Sequence, residues 1–438
     1  MQQCDLLLTA RWVVTVDDDN RVLDNAGLAI RGGRIVAIDS EDSLRRQWQA
    51  REHIDCGRAA LLPGLVNTHT HAAMSLFRGI ADDVPLETWL NEHIWPLEGQ
   101  HANADFVRDG TRLAIAEMIR SGTTCFNDMY FCPDVVAEVA NEARIRASIG
   151  LIVIEFPTVW ASGPDEYLSK AMQVYDAHAA DTLLSMQFAP HSTYAVTEAT
   201  LKRVRTQADQ LDIGVHIHLH ETVAEVQQHA AQHGERPFAT LDRLGLVNDR
   251  LLAVHMTQLS SDEIARAAER GISIAHCPES NMKLASGSAP VADLISAGVN
   301  VALGSDGAAS NNDLDLFGEM RSAALLGKVT SADASRPSAA EVLRMATAGG
   351  ATALGIDEVT GSLSAGKSAD VIAVRMDQPH TTPCFDPVGA IVYAAGRSDV
   401  SDVWVAGRRL MNARQLTTID ESSILERAVE WQSRLGKA

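Results

Sequence analysis

The chain has 438 residues, 46% hydrophobic and 21% charged, and a formal net charge of −20 from 37 Lys+Arg against 57 Asp+Glu. That length is too great for one ordinary core and suits a large barrel with a smaller domain beside it, and the composition is that of a folded chain. The acidic balance argues against nucleic acid or an anionic membrane surface as partner, since both need clustered Lys/Arg, and no run of about 18 apolar residues offers a membrane span.

The amino terminus, MQQCDLLLTARWVV, carries Asp5 ahead of its apolar stretch and has no basic leader, so it is a poor signal peptide. Residues 5–56 read as short strands joined by turns. RWVVTV runs into the polar turn DDDN, and GLAIRGGRIVAI is a hairpin about Gly32 and Gly33. The pattern then changes to apolar strands alternating with helical stretches. The strands are LLPGLVNTH, TTCFND, ASIGLIVIEF, TLLSMQFAPH, IGVHIHLHE, RLLAVHMT, GISIAHCPES and VNVALGSDG, and a helix is predicted over 104–122, closing on Gly122. Eight alternating units predict an α/β fold, a (β/α)8 TIM-like barrel. ADVIAV at 369–374 and DVWVAGRRLM at 402–411 return to the texture of the amino terminus. Both termini are therefore expected to form one small β-sandwich: residues 1–60, then the barrel over 61–365, then 366–438 with a terminal helix. A doubly wound open sheet is the alternative, but no Gly-rich dinucleotide fingerprint follows the first strand. Cys4, Cys56, Cys125, Cys132, Cys277 and Cys384 include no CxxC pair and read as reduced thiols of a cytoplasmic protein.

Barrel active sites lie at the carboxyl ends of the strands, and histidines collect there. The first strand ends in His69 and His71, spaced i and i+2 so that both rings face one side. The fourth ends in His191, the fifth in His216, His218, His220 and Glu221, the sixth in His255, and the eighth in Asp306. One HxH could be a satisfied interior histidine beside an exposed one; several at one rim point to a metal. Three His and one carboxylate suit a catalytic zinc with a place left for water, whose pKa then falls from 15.7 to about 7. Glu221, three residues after His218, can move protons without binding the metal. His216, His218 and His220 share one strand face, so spacing alone does not choose the ligand, and His216 and His220 read better as supporting imidazoles. Asp306 is either a turn aspartate or, by its place at the last strand end, ligand and base. His276, Cys277 and Asn281 read as shaping the seventh loop.

PGLVNTHTH, HIHLHET, AVHMT, AHCPESNMKLASG and VALGSDGAASNNDLD resemble the amidohydrolase superfamily, and HAAMSLFRGIADDVPLETWLNEHIWPLE at 71–98 resembles its 5′-methylthioadenosine/S-adenosylhomocysteine deaminase branch. The resemblance runs almost the whole chain in order, and the family's split terminal β-domain matches the two strand-rich ends. It implies one Zn2+ per chain on His69, His71, His218 and Asp306; by ligand chemistry alone, iron or manganese could also occupy three His and one Asp. It also implies Glu221 as proton shuttle and substrate contact, and His255 as the group that orients the water or polarises the leaving-group end. Glu98 would accept hydrogen bonds from ribose hydroxyls, though the sequence alone reads it as a helix-end surface carboxylate. His191 would contact the nucleoside near its 5′ side. Trp89 and Trp95 either wall the nucleoside or fill core. Binuclear relatives bridge two metals with a carboxylated lysine at the fourth strand end; here that end reads QFAPHSTY, without lysine, so one metal is expected.

The expected reaction is hydrolytic deamination of 5′-methylthioadenosine, S-adenosylhomocysteine and adenosine to the inosine analogues plus ammonia, with catalytic Glu221, His255 and Asp306. The alternative is a related aminohydrolase or chlorohydrolase acting on guanine, oxidised guanine, pterin or triazine. The other zinc deaminase fold is excluded, because PCxxC is missing. A catalytically dead scaffold should have lost ligands, and all four are present. The partner is a small nucleoside, not nucleic acid or membrane, and a homo-oligomer is implied by resemblance only. Residues 147–169, after the third strand, contain no Arg or Lys to hold a substrate carboxylate, while Trp160 could cover an apolar 5′ group or simply pack the loop.

Overall fold

A computed structural model describes residues 1–436, apart from the side chain of Glu87. Eight strands, Leu65–Thr70, Thr123–Asp128, Arg146–Val153, Leu184–Pro190, Gly214–Leu219, Leu251–His255, Ser273–His276 and Asn300–Leu303, pair in chain order as one parallel sheet. Their near-continuous burial explains why they read as apolar runs rather than alternating ones. The ends of the sheet meet: Asp306 N donates to His69 O at 3.0 Å and Thr68 Oγ1 to Leu303 O at 2.8 Å. Each predicted barrel strand overlaps one of these eight, and the predicted helix is found at Ala104–Arg120, capped by the Asn103 side chain.

The first predicted strand is in fact two. Ala59–Pro63 runs antiparallel to Val371–Arg375 in the terminal sheet, and only Leu65–Thr70 enters the barrel. Gly64 is the pivot. A Cβ there would lie 2.0 Å from Thr124 Oγ1, so only glycine lets the backbone pass so close.

The terminal sheet is continuous and has nine strands drawn from both ends of the chain. Its strands are not all short: Gln2–Val14 spans 13 residues, because it pairs with Val22–Arg31 on one edge and with Trp48–Asp55 and then Ala59–Pro63 on the other. The hairpin at Gly32 and Gly33 is as expected, with φ of 58° and 74°. A helix at Glu41–Gln47 was not anticipated, although Ser40 caps it, acidic residues open it and Arg45 and Arg46 close it. The sheet bends back on itself, with Ile35 N donating to Lys367 O and Ala369 N to Gly33 O. It thereby encloses Leu8, Leu28, Ile30, Ile35, Val371 and Trp404.

Two of the ties that hold this sheet and its trailing helix to the barrel are buried or charged. Arg146, at the start of the third barrel strand, pairs with buried Asp370 at 2.9 Å. Burial alone would raise the Asp370 carboxyl, but the Arg146 guanidinium outweighs it and holds the group ionised. The terminal helix, Glu421–Leu435, docks on Ala104–Arg120 through Trp431 Nε1 and Arg427, both on Asp109. All six cysteines are free thiols, and no helix among the described residues is long and apolar enough to cross a membrane.

Candidate active site

The carboxyl ends of the barrel strands open into a cleft of about 1110 Å³, its mouth included. Three non-glycine residues at this rim, His220, His255 and Asp306, have φ of 53°, 72° and 61°. Such left-handed backbone persists only where the surroundings enforce it, and it concentrates at functional sites. Gly304 lets the last strand close against the first: a Cβ there would sit 2.8 Å from His69 Cβ.

Two groups of donors share His69 at the floor, His69 with His71 and Asp306, and His69 with His218 and His255, the ligand atoms of each lying within 4.8 Å of one another. His69 Nε2 lies 3.2 Å from His218 Nε2 and 3.4 Å from Asp306 Oδ1, and His71 Nε2 lies 3.3 Å from the same oxygen. Donors placed about 2.0–2.1 Å from a tetrahedral cation would be separated by roughly 3.3 Å, so these residues form a site compatible with one divalent metal. The Nδ1 atoms of His71 and His218 face the carbonyls of Met129 (2.5 Å) and His191 (2.8 Å). Those bonds place the protons on Nδ1 and turn the Nε2 lone pairs inward. Asp306 Oδ2 accepts from Ser280 and Ser310 at 2.7 and 3.0 Å. Burial would raise its carboxyl, but His69 and its neighbours hold it well below the ordinary carboxylate range.

The histidine run of the fifth strand does not share one face. The strand ends at Leu219, and His220 in its left-handed turn points away, its Nε2 accepting from Phe238 N at 3.1 Å. His216 lies deeper, 2.9 Å from His69 Nδ1, with its other nitrogen facing Asn127 Nδ2 at 3.1 Å. It steadies the His69 ring. His218 alone presents a nitrogen to the cleft floor.

Above the donors, His255 Nε2 lies 3.8 Å from Glu221 Oε2, while its Nδ1 faces the Asn281 amide nitrogen at 3.0 Å. If Nδ1 accepts from that amide, Nε2 carries the proton and can donate an N–H. Burial raises the Glu221 carboxyl above its ordinary value, opposed by His255, and Ser286 Oγ donates to it at 3.2 Å. Glu98 is no surface carboxylate. It faces the cleft, accepts from Tyr130 Oη at 2.7 Å, and burial pushes its carboxyl up to about 7. His191 lines the same wall, its ring centroid 4.7 Å from that of His218.

Trp89 and Trp95 both border the cleft; Trp89 is buried, and Trp95 is 42% exposed at the mouth. Trp160 does not reach it. It packs against Tyr167, and Phe156 takes that stretch of wall. The cation nearest in sequence, Lys170, donates to Trp160 O and pairs with Glu166 instead of facing the cleft. Among the described residues that line the cleft, none is Arg or Lys. Sequence reading missed Ser280, Ser286, Ser310 and Tyr130, since a lone hydroxyl carries no signal until barrel closure brings it to a carboxylate.

Protein purified without added metal should hold about one equivalent of divalent cation per chain, by elemental analysis. Two equivalents that activity requires would contradict the single donor set.

A sequence profile described as the amidohydrolase family matches residues 60–410. The 5-methylthioadenosine/S-adenosylhomocysteine deaminase of Teredinibacter turnerae is 45% identical over 432 residues, covering 99% of this chain and 98% of the relative. That of Saccharophagus degradans is 43% identical over 431 residues, covering 98% and 97%. Among solved structures, an adenosine deaminase from Xanthomonas campestris with bound zinc superposes with a TM-score of 0.99 at 48% identity, covering all of both chains. A zinc-complexed atrazine chlorohydrolase from Arthrobacter aurescens superposes at 0.90 with 25% identity, over 97% of this chain and 99% of that one.

Proposed function

Because the chain belongs to the 5-methylthioadenosine/S-adenosylhomocysteine deaminase family of the amidohydrolase superfamily, we propose that it hydrolytically deaminates the adenine ring of these nucleosides and of adenosine. The observation that carries the reading is one cleft with a carboxyl raised by burial, Glu221, the His255 imidazole beside it, a cluster of His and Asp donors at its floor, and a second carboxyl, Glu98, on its wall. His69, His71, His218 and Asp306 would hold the cation. Bound there, it would supply Lewis acidity that brings a water toward hydroxide near neutral pH.

The residues divide the remaining work. Glu221, whose carboxyl burial raises, gives a proton from its acid form to a ring nitrogen, which makes the amino-bearing carbon electrophilic. Asp306, kept ionised, takes a proton from the attacking water. The His255 N–H donates toward the oxygen added at that carbon. Asp306 returns that proton to the exocyclic amine, ammonia leaves, and the ionised Glu221 takes the proton of the added hydroxyl as the carbonyl forms, which restores both carboxyl groups. Glu98 and Tyr130 sit where a ribose can be held by its hydroxyls, which favours a nucleoside over a free base such as guanine or a triazine. The apolar wall of Ile152, Ile154 and Phe156 is suited to a 5′ thioether, with His191 beside it. Free thiols throughout fit a cytoplasmic enzyme.

The wall without a cation bears on substrate choice. The carboxylate of S-adenosylhomocysteine gains most from an arginine partner, and none is among the described residues that line this cleft. Methylthioadenosine is therefore expected to be used at least as well as S-adenosylhomocysteine, adenosine to be accepted, and free adenine to be poor. Ammonia release at varied concentrations of the four compounds gives the kcat/KM values. A preference above tenfold for S-adenosylhomocysteine, about 1.4 kcal/mol in the transition state, would reveal a cationic anchor outside the cleft lining. No ammonia from any purine nucleoside would overturn the assignment.

A further inference from the structure

We propose that Glu225 is a positioning residue, one that aims Glu221 at the substrate by holding the backbone amides on which Glu221 and its neighbour are mounted. The inference rests on the reading of Glu221 as proton shuttle. Glu225 is the third residue of the helix Val223–His233, whose cap is Thr222, and its amide donates to Thr222 Oγ1 at 3.1 Å. A glutamate at this position ordinarily folds back to the amide of the capping residue itself. Glu225 faces that amide too, but its carboxylate reaches further. Its Oε2 accepts from Glu221 N at 2.7 Å and its Oε1 from His220 N at 3.1 Å. Both oxygens are thus committed to the segment that carries the shuttle, one residue beyond what capping requires.

The arrangement has a counterpart on the other side. Thr257 Oγ1 donates to Glu221 O at 2.7 Å. With its N–H held by Glu225 and its carbonyl by Thr257, both peptide planes of Glu221 are fixed, and so is the direction of its side chain. His220, immediately before it, has φ of 53°, a conformation that a non-glycine residue keeps only under such restraint. Proton transfer depends steeply on this aim, because a misplacement of about 1 Å can cost on the order of 100-fold in rate. Glu225 itself does not line the substrate cleft, so its influence runs through Glu221.

Glu225→Gln tests this in the metal-loaded enzyme. The amide keeps the shape but can accept from only one of the two N–H groups and opposes the other. The expected result is a fall in kcat of about 10- to 100-fold, with KM for methylthioadenosine within threefold and metal content unchanged. Thr222→Val is the control. It removes the ordinary cap of the same helix without touching either amide, and kcat should stay within twofold. Should Glu225→Gln fail to fold, Glu225→Asp, which keeps the charge on a shorter arm, is measured in its place, with the same split expected. Unchanged kcat in the Glu225 variant, equal losses in the Thr222 and Glu225 variants, or metal and KM lost in step with kcat would each overturn the proposal. Near-normal turnover by Glu221→Gln would instead locate the failure in the shuttle reading.

Discussion

Glu221→Gln is expected to lower kcat by about 10³-fold or more while metal content and nucleoside binding stay close to normal. A positioned acid–base group contributes about 10²–10⁴-fold, and here one carboxyl is asked to serve both as donor to the ring and as acceptor of the added hydroxyl's proton. Glutamine retains the contact with Ser286 and the volume in the cleft but has no proton to give. Burial raises the Glu221 carboxyl, so the acid form extends to higher pH than in an ordinary glutamate. The acid is present below that raised pKa and lost as pH rises through it. The wild-type rate should therefore decline on the alkaline side, and the residual rate of the variant should lack that limb. Steady-state kinetics against pH, with metal analysis of the same samples, checks both statements. A variant within tenfold of wild type would remove Glu221 from the mechanism.

His69→Ala is expected to fail differently, losing metal and turnover together. His69 is fully buried, and its Nε2 faces both His218 and Asp306 within 3.4 Å. Truncation removes one of four donors and leaves His216 without its ring partner. Bound metal should drop below about a tenth of wild type and deamination to background, a loss of at least the 10²–10⁴-fold of a single catalytic group. Chelation of the wild-type protein should give the same loss, with recovery when zinc is returned. The pair of variants separates holding the metal from moving the proton: one is dead with metal, the other dead without. Full metal content in His69→Ala would mean that another group, such as His255, completes the donor set.

Much of this was legible in the residues themselves. The eight strands were readable because a parallel barrel strand is buried on both faces, and that burial forces continuous apolar runs such as ASIGLIVIEF. His69 and His71 were readable as a pair because the two-residue period of a strand is local. The polar ends of the runs marked the rim, since strand ends are where a barrel can keep polar groups.

What the sequence left open depends on contacts between distant segments. The choice of His218 over His216 and His220 rests on where the strand stops and on the turn at His220. The split of LLPGLVNTH rests on Thr124, 60 residues away, which leaves no room for a side chain at Gly64. Glu98 reads as a surface carboxylate until the helix carrying it folds over the cleft and Tyr130 meets it. Trp160 and Phe156 sit four residues apart in one loop, and only packing against Tyr167 decides which of them faces substrate. Periodicity records which side of its own strand or helix a residue occupies. It carries no information on what the other elements bring to that side, and the roles of Glu98, Ser280, Asn281 and Glu225 are set there.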